Sequence, residues 1–81
     1  MKVKILLFAS FREAVGASQS SVEVEPDAKV SHVWDKLVEL HPRLAPHRGT
    51  AAYAINGTYA KPDERVREGD EIAFLPPVSG G

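Results

Sequence analysis

The alternation of apolar and polar positions marks strands toward both ends of the chain and one helix between them. In residues 2–9, Val3, Ile5 and Leu7 fall on one face of an extended strand, and Leu6 and Phe8 fall on the other. Apolar character on both faces predicts a central strand. Phe11 to Val15 predicts a short helical turn closed by Gly16. Ser20 to Glu25 is more polar, with Val22 and Val24 on one face. It predicts an edge strand that pairs with the first as a hairpin and ends at Pro26-Asp27.

The one strong helical period follows. Ser31 stands where an N-cap would. Val33, Trp34, Leu37, Val38 and Leu40 or His41 repeat at helical spacing, while Asp35, Lys36 and Glu39 fall on the wet side. Pro42 stops the helix near His41. Pro42, Pro46 and Gly49 make residues 43–50 read as a loop. Ala51 to Ile55 predicts a strand, Asn56-Gly57 a tight hairpin turn, and Thr58 to Ala60 the return strand. Lys61 to Glu68 is a polar connection, Gly69-Asp70 a turn, and Glu71 to Leu75 the last strand.

About five strands and one principal helix define an α+β fold, a mixed sheet with the helix packed on one face through Trp34, Leu37 and Val38. One helix covers one face only. The second apolar parity of the first and last strands, carried by Leu6, Phe8 and Leu75, is therefore a candidate partner surface, unless loop 42–50 folds over it. The domain is expected over residues 1–75, with 76–81 as an extended tail.

Composition narrows the chemistry. The 81 residues make one domain, and 43% hydrophobic content suffices for a folded core. The absence of cysteine removes disulfides, thiolate metal sites and thiol nucleophiles. A net charge of −1 argues against a nucleic-acid partner. The apolar run Ile5 to Ala9 is too short for a secretory or membrane segment, so a cytoplasmic protein that binds no membrane is expected. His32, His41 and His47 lack partners at metal-ligand spacing, so no metal is expected, and these histidines read as surface or capping residues. No nucleophile–base constellation or phosphate loop is visible. Arg12-Glu13 reads as a solvated surface pair before it reads as a ligand contact.

The tail carries the remaining chemistry. Gly80-Gly81 follow an apolar strand and Pro76-Pro77. Residues without Cβ can thread a narrow channel, and the prolines favour an extended chain leading away from the body. The terminal carboxylate is a poor electrophile until a partner activates it, most plausibly as an acyl-adenylate made from ATP. A sulfur nucleophile could then displace AMP and leave a thiocarboxylate on Gly81.

Gly69-Asp70-Glu71-Ile72-Ala73-Phe74-Leu75-Pro76-Pro77-Val78-Ser79-Gly80-Gly81 closely resembles the C-terminus of the molybdopterin synthase small-subunit family. The opening Val3 to Ala9 with Phe11-Arg12-Glu13 and Gly16, and Ala54-Ile55-Asn56, resemble it too. Lys61-Pro62 is more polar than that pattern. The resemblance implies a ubiquitin-like β-grasp fold and a sulfur carrier. An activating enzyme would adenylate Gly81, and a sulfur donor would convert it to the thiocarboxylate. Pro77, Val78, Ser79 and Gly80 would thread into the active site of a large synthase subunit. Sulfur would pass there to a pyranopterin precursor in molybdenum cofactor synthesis. The resemblance further implies a heterotetramer of small and large subunits, with the catalytic groups on the large one. This chain would bind no cofactor, ATP being used by the activating enzyme, and Phe8, Phe74, Leu75, Pro76, Pro77 and Val78 would be buried against partners. The alternatives are a sulfur carrier for thiazole synthesis or tRNA thiolation, a ubiquitin-like protein modifier, and a non-covalent interaction module.

Overall fold

The computed structural model describes residues 1–47 and 49–76. The elements, in chain order, are β1 (Lys2–Leu7), α1 (Ala9–Val15), β2 (Gln19–Glu23), α2 (Val30–Leu40), a 3-10 helix (Pro42–His47), β3 (Ala52–Ile55), β4 (Thr58–Ala60) and β5 (Glu71–Leu75). They build one mixed sheet in the order β2-β1-β5-β3-β4. The strand predicted as central, β1, lies between β2 and β5, and the polar β2 is an edge. The β1–β2 pair is an antiparallel hairpin, β1 and β5 run parallel, and β3 is antiparallel to both β4 and β5. This is a ubiquitin-like β-grasp.

Strand alternation decides what is buried. Val3, Ile5 and Leu7 of β1, Val22 of β2, Tyr53 of β3, and Ile72 and Phe74 of β5 all lie on the helix side, together with Val30, Val33, Trp34 and Leu37 of α2. Trp34 is the hub of this core. Its ring lies 5.5 Å from Phe11, 5.2 Å from Phe74 and 6.4 Å from Tyr53, and Phe74 meets Tyr53 edge-on at 5.5 Å. Burial of each such side chain is worth ~1.5–3 kcal/mol, with a further ~0.5–1.5 kcal/mol for each well-angled aromatic pair. The indole N–H of Trp34 is buried with no hydrogen-bond partner among the described residues. That costs ~1–3 kcal/mol, which the packing must outweigh.

Three local expectations are corrected. The helix begins at Val30, with Lys29 rather than Ser31 as its cap. Cap chemistry comes from within the first turn, where the Lys29 N–H donates to Nδ1 of His32 at 3.0 Å. Leu40, counted among the apolar positions, is 53% exposed, because α2 ends there and the sheet no longer lies beneath it. Residues 42–47 form a 3-10 helix rather than a loop. Its Leu44 is fully buried, and His47 contacts Phe11 edge-on at 5.1 Å. The segment therefore closes the end of the core between α1 and α2, on the helix side, and leaves the opposite sheet face open.

The β3–β4 turn is tied to the start of β5. Asn56 and Gly57 both adopt positive φ (50° and 86°), as a two-residue hairpin of this hand requires. The Asn56 N–H donates to the Glu71 carbonyl at 2.8 Å, and the Glu71 N–H returns a bond to Asn56 Oδ1 at 3.0 Å. Asn56 Nδ2 donates to Asp70 Oδ1 at 3.0 Å, while Asp70 Oδ2 accepts the Arg67 N–H at 2.8 Å. One asparagine thus sets the register between two turns that are distant in sequence. Replacing it with alanine removes both side-chain bonds and leaves a Cβ residue at positive φ without local compensation. Asn56→Ala is expected to cost about 1–3 kcal/mol in urea-unfolding stability with the fold retained.

Phe74→Ala is expected to cost about 3–5 kcal/mol in the same measurement, because it opens a cavity among Trp34, Tyr53 and β1. Phe8→Ala, at a 45% exposed position, is expected to change stability by less than about 1 kcal/mol.

Candidate functional site

The open face of the sheet follows from the same alternation. Leu6 is opposite Ala73, Ala73 is opposite Ala54, and Ala54 is opposite Tyr59, so these four side chains form a row across β1, β5, β3 and β4. The two alanines in the middle are small, and the residues at either end are large. The result is a shallow apolar groove of about 270 Å³, lined by Leu6, Phe8, Ala54, Gly57, Tyr59, Glu71, Ala73 and Leu75. Phe8 stands 45% exposed and Tyr59 77% exposed at its rims. Large aromatic surface left in water at this cost, beside a floor of small residues, has the form of a docking surface for an apolar partner segment.

Phe8 owes its position to the end of β1. It is the last residue before α1, in extended conformation, and its carbonyl accepts the N–H groups of Phe11 and Arg12 at 3.0 and 3.4 Å. Phe11 is thereby turned into the core while Phe8 stays on the open face. Leu75 ends β5 and is half-buried, as is Pro76, so the chain leaves the sheet at the margin of the groove.

Of the residues expected at a partner interface, Phe8 and Leu75 meet at this groove and Pro76 lies just beyond it. Phe74 does not belong with them. It is fully buried and packs on Trp34 and Tyr53, because it shares the inward parity of Ile72 rather than the outward parity of Ala73 and Leu75. Pro77, Val78, Ser79, Gly80 and Gly81 lie outside the described residues. Tyr59 is the contributor that sequence reasoning passed over. Its signal was present in the hairpin, since a two-residue turn at Asn56-Gly57 places Tyr59 opposite Ala54 and hence on the open face.

The histidines serve structure. His32 caps α2, His41 follows its last turn, and His47 packs on Phe11. Among the described residues no group of three or more His, Cys, Asp or Glu side chains could hold a metal ion. No helix among them is long and apolar enough to cross a membrane. Arg12 and Glu13 are exposed on α1.

Comparison with known proteins agrees with this architecture. The chain is 32% identical to a molybdopterin synthase sulfur carrier subunit of Chlamydomonas reinhardtii, over 100% of both chains. It is 39% identical to small archaeal modifier protein 1 of Haloferax volcanii, over 93% of this chain and 95% of that one. The crystal structure of that modifier superposes with a TM-score of 0.90 at 34% identity, covering 100% of both chains. Residues 5–81 match the profile of the ThiS family, and with full-length relatives above 30% identity the chain belongs to that family of β-grasp proteins.

Proposed function

We propose that this protein is the sulfur carrier subunit of a molybdopterin synthase. The observation that carries the proposal is full-length similarity to sulfur carrier subunits, joined to a sheet face built for docking at the point where the tail departs. In this scheme the Gly81 carboxylate attacks the α-phosphorus of ATP on an activating enzyme, and pyrophosphate leaves. Hydrosulfide, or a donor's equivalent, attacks the acyl carbon of the adenylate, and AMP leaves. The thiocarboxylate then delivers sulfur to the pyranopterin precursor in the large subunit. Residues 1–75 act as the handle and 76–81 as the arm. The apolar groove holds the handle against the partner while Pro77 to Gly80, whose last residue is without a side chain, enter a narrow channel. No catalytic group of this chain is required. The partners are the large subunit, in a heterotetramer, together with the activating enzyme and the sulfur donor.

A second use, as a protein modifier, is favoured by the similarity to small archaeal modifier protein 1. Activation at Gly81 would be shared, and the adenylate or its thioester would end as an isopeptide on a lysine.

Intact-mass measurement after incubation with ATP, the activating enzyme and sulfide tests the carrier function. The expected result is a gain equal to one oxygen replaced by sulfur, localised to Gly81. No gain, with an activating enzyme shown to work on another carrier, rejects it. Recovery of lysine isopeptides to Gly81 instead would move the assignment to the modifier. Removal of Gly80-Gly81 is expected to abolish sulfur transfer and leave the unfolding midpoint nearly unchanged.

Groove variants test the docking half. Phe8→Ala is expected to weaken binding to the large subunit by about 2 kcal/mol, roughly thirtyfold, because an exposed aromatic anchor loses its partner cavity. Leu75→Asp should weaken it further by placing a charge in the apolar contact. Titration calorimetry on the folded variants reads both, and wild-type affinity for each would reject the groove as the interface.

A further inference from the structure

The two edges of the sheet are finished differently. β4 is three residues long, whereas β2 runs for five and carries neither proline nor lysine, the residues that commonly block an edge. Its pairing with β1 decides which backbone groups are used. The Leu7 N–H donates to the Ser18 carbonyl at 2.9 Å and the Val24 N–H to the Met1 carbonyl at 2.8 Å, so the even-numbered residues of this register are the bonded ones. Gln19, Ser21 and Glu23 therefore turn their N–H and C=O groups away from β1. All three residues are exposed, and no hydrogen bond to another described residue uses those groups. Free donors and acceptors at every second residue are a template for one more strand.

On the helix side this edge opens onto a groove of about 390 Å³ between the end of β2 and α2. Val24 and Ala28 form its apolar floor. Glu23, Glu25, Asp27, Asp35 and Glu39 stand around it. Lys36 is the one lysine or arginine among its lining residues, and its ammonium lies 3.8 Å from Glu39. The N-terminal ammonium lies 3.6 Å from Glu23, while Glu25 and Asp27 enter no ion pair among the described residues. Nδ1 of His32, also at this groove, accepts the Lys29 N–H. Five carboxylates against one lysine leave the groove negative, on a protein whose overall charge is only −1.

The backbone edge fits an extended chain and does not choose its side chains. The groove does. Alternate residues of an added strand project on the side of Val22 and Val24, over the groove. A side chain there meets an apolar floor below and carboxylates around the rim. Lysine and arginine suit both, with the aliphatic stem on the floor and the charged head in water.

We infer that the β2 edge and the groove beside it bind an extended basic segment of a protein partner. The segment adds to the sheet as a sixth strand, with lysine or arginine at alternate positions over the groove. Main-chain bonds to Gln19, Ser21 and Glu23 supply affinity, and the carboxylates supply selection. The site is separate from the apolar groove. No residue lines both, and β1 stands between β2 and β5, from which the chain runs on toward Gly81. The inference therefore does not depend on the carrier function.

The test titrates a capped octapeptide of alternating arginine and threonine into the isotope-labelled full chain, at about 50 and about 300 mM salt. An octapeptide of alternating glutamate and threonine is the counterpart. The arginine peptide is expected to bind saturably, to weaken by about tenfold at the higher salt, and to slow amide exchange at Gln19, Ser21 and Glu23. The glutamate peptide is expected not to bind. Ser21→Pro removes an outward N–H without touching the bonds to β1, and should lower affinity by about tenfold. Glu25→Lys combined with Asp27→Lys, at two exposed positions, should lower it at least as far and leave the unfolding midpoint nearly unchanged. An arginine peptide that does not saturate would overturn the inference, and so would equal binding of the glutamate peptide. Binding that protects no amide of β2 and survives Ser21→Pro would also overturn it, because the peptide would then be held by diffuse attraction to carboxylates and not as a strand.

Discussion

Five strands present two faces, and α2, with 11 residues, covers one of them. The rest of the molecule is arranged around that shortage. On the covered face, Trp34 gathers Phe11, Tyr53 and Phe74 into a cluster that reaches from α1 to β3. A chain this short buries only about 60–65% of its unfolded surface, so much of its stability must come from a few large side chains. The 3-10 helix extends the covered side with Leu44, which closes the end of the core without crossing to the other face.

The uncovered face is apolar along one row and small at its centre. Ala54 and Ala73 keep the floor low, while Phe8, Leu6, Leu75 and Tyr59 stand around it. Burying those side chains internally would have needed a second helix. Leaving them open places apolar surface at the exit of β5, where the chain continues into the segment that bears Gly81. A carrier whose reactive atom sits at the end of an arm needs its body held at a fixed distance from the partner's active site. Under the proposed carrier function, an apolar face continuous with the root of the arm would meet that need with a sheet of paired strands.

Polar interactions settle the remaining details. Asn56 clamps the β3–β4 turn to Asp70 and Glu71, so the hairpin that carries Tyr59 is fixed relative to the strand that carries Leu75. The same Asp70 engages the Arg67 backbone. The hairpin turn, the Arg67 segment and the start of β5 are thereby tied together by hydrogen bonds at one corner of the sheet.

Much of this architecture is legible in the sequence. Two-fold alternation in Val3, Ile5 and Leu7, helical spacing in Val33, Trp34 and Leu37, and Asn56-Gly57 between short apolar runs each determine an element, because the period of side-chain direction belongs to the backbone itself. The Pro-Pro-Val-Ser-Gly-Gly ending is the specific part of the resemblance to the sulfur carrier family, and it too can be read without the fold. Tertiary structure decided which parity of each strand faces the helix. Phe74 and Leu75 are adjacent and both apolar, yet one is core and the other lies at the groove. Only the pairing of β5 between β1 and β3, beneath Trp34, separates them. Tyr59, Arg65 and Arg67 likewise read locally as hairpin and polar loop. They line one groove because Val66, hydrogen-bonded to Ala28, and the Lys29–Arg65 bridge bring a distant segment up beside β4, a contact that no local pattern encodes.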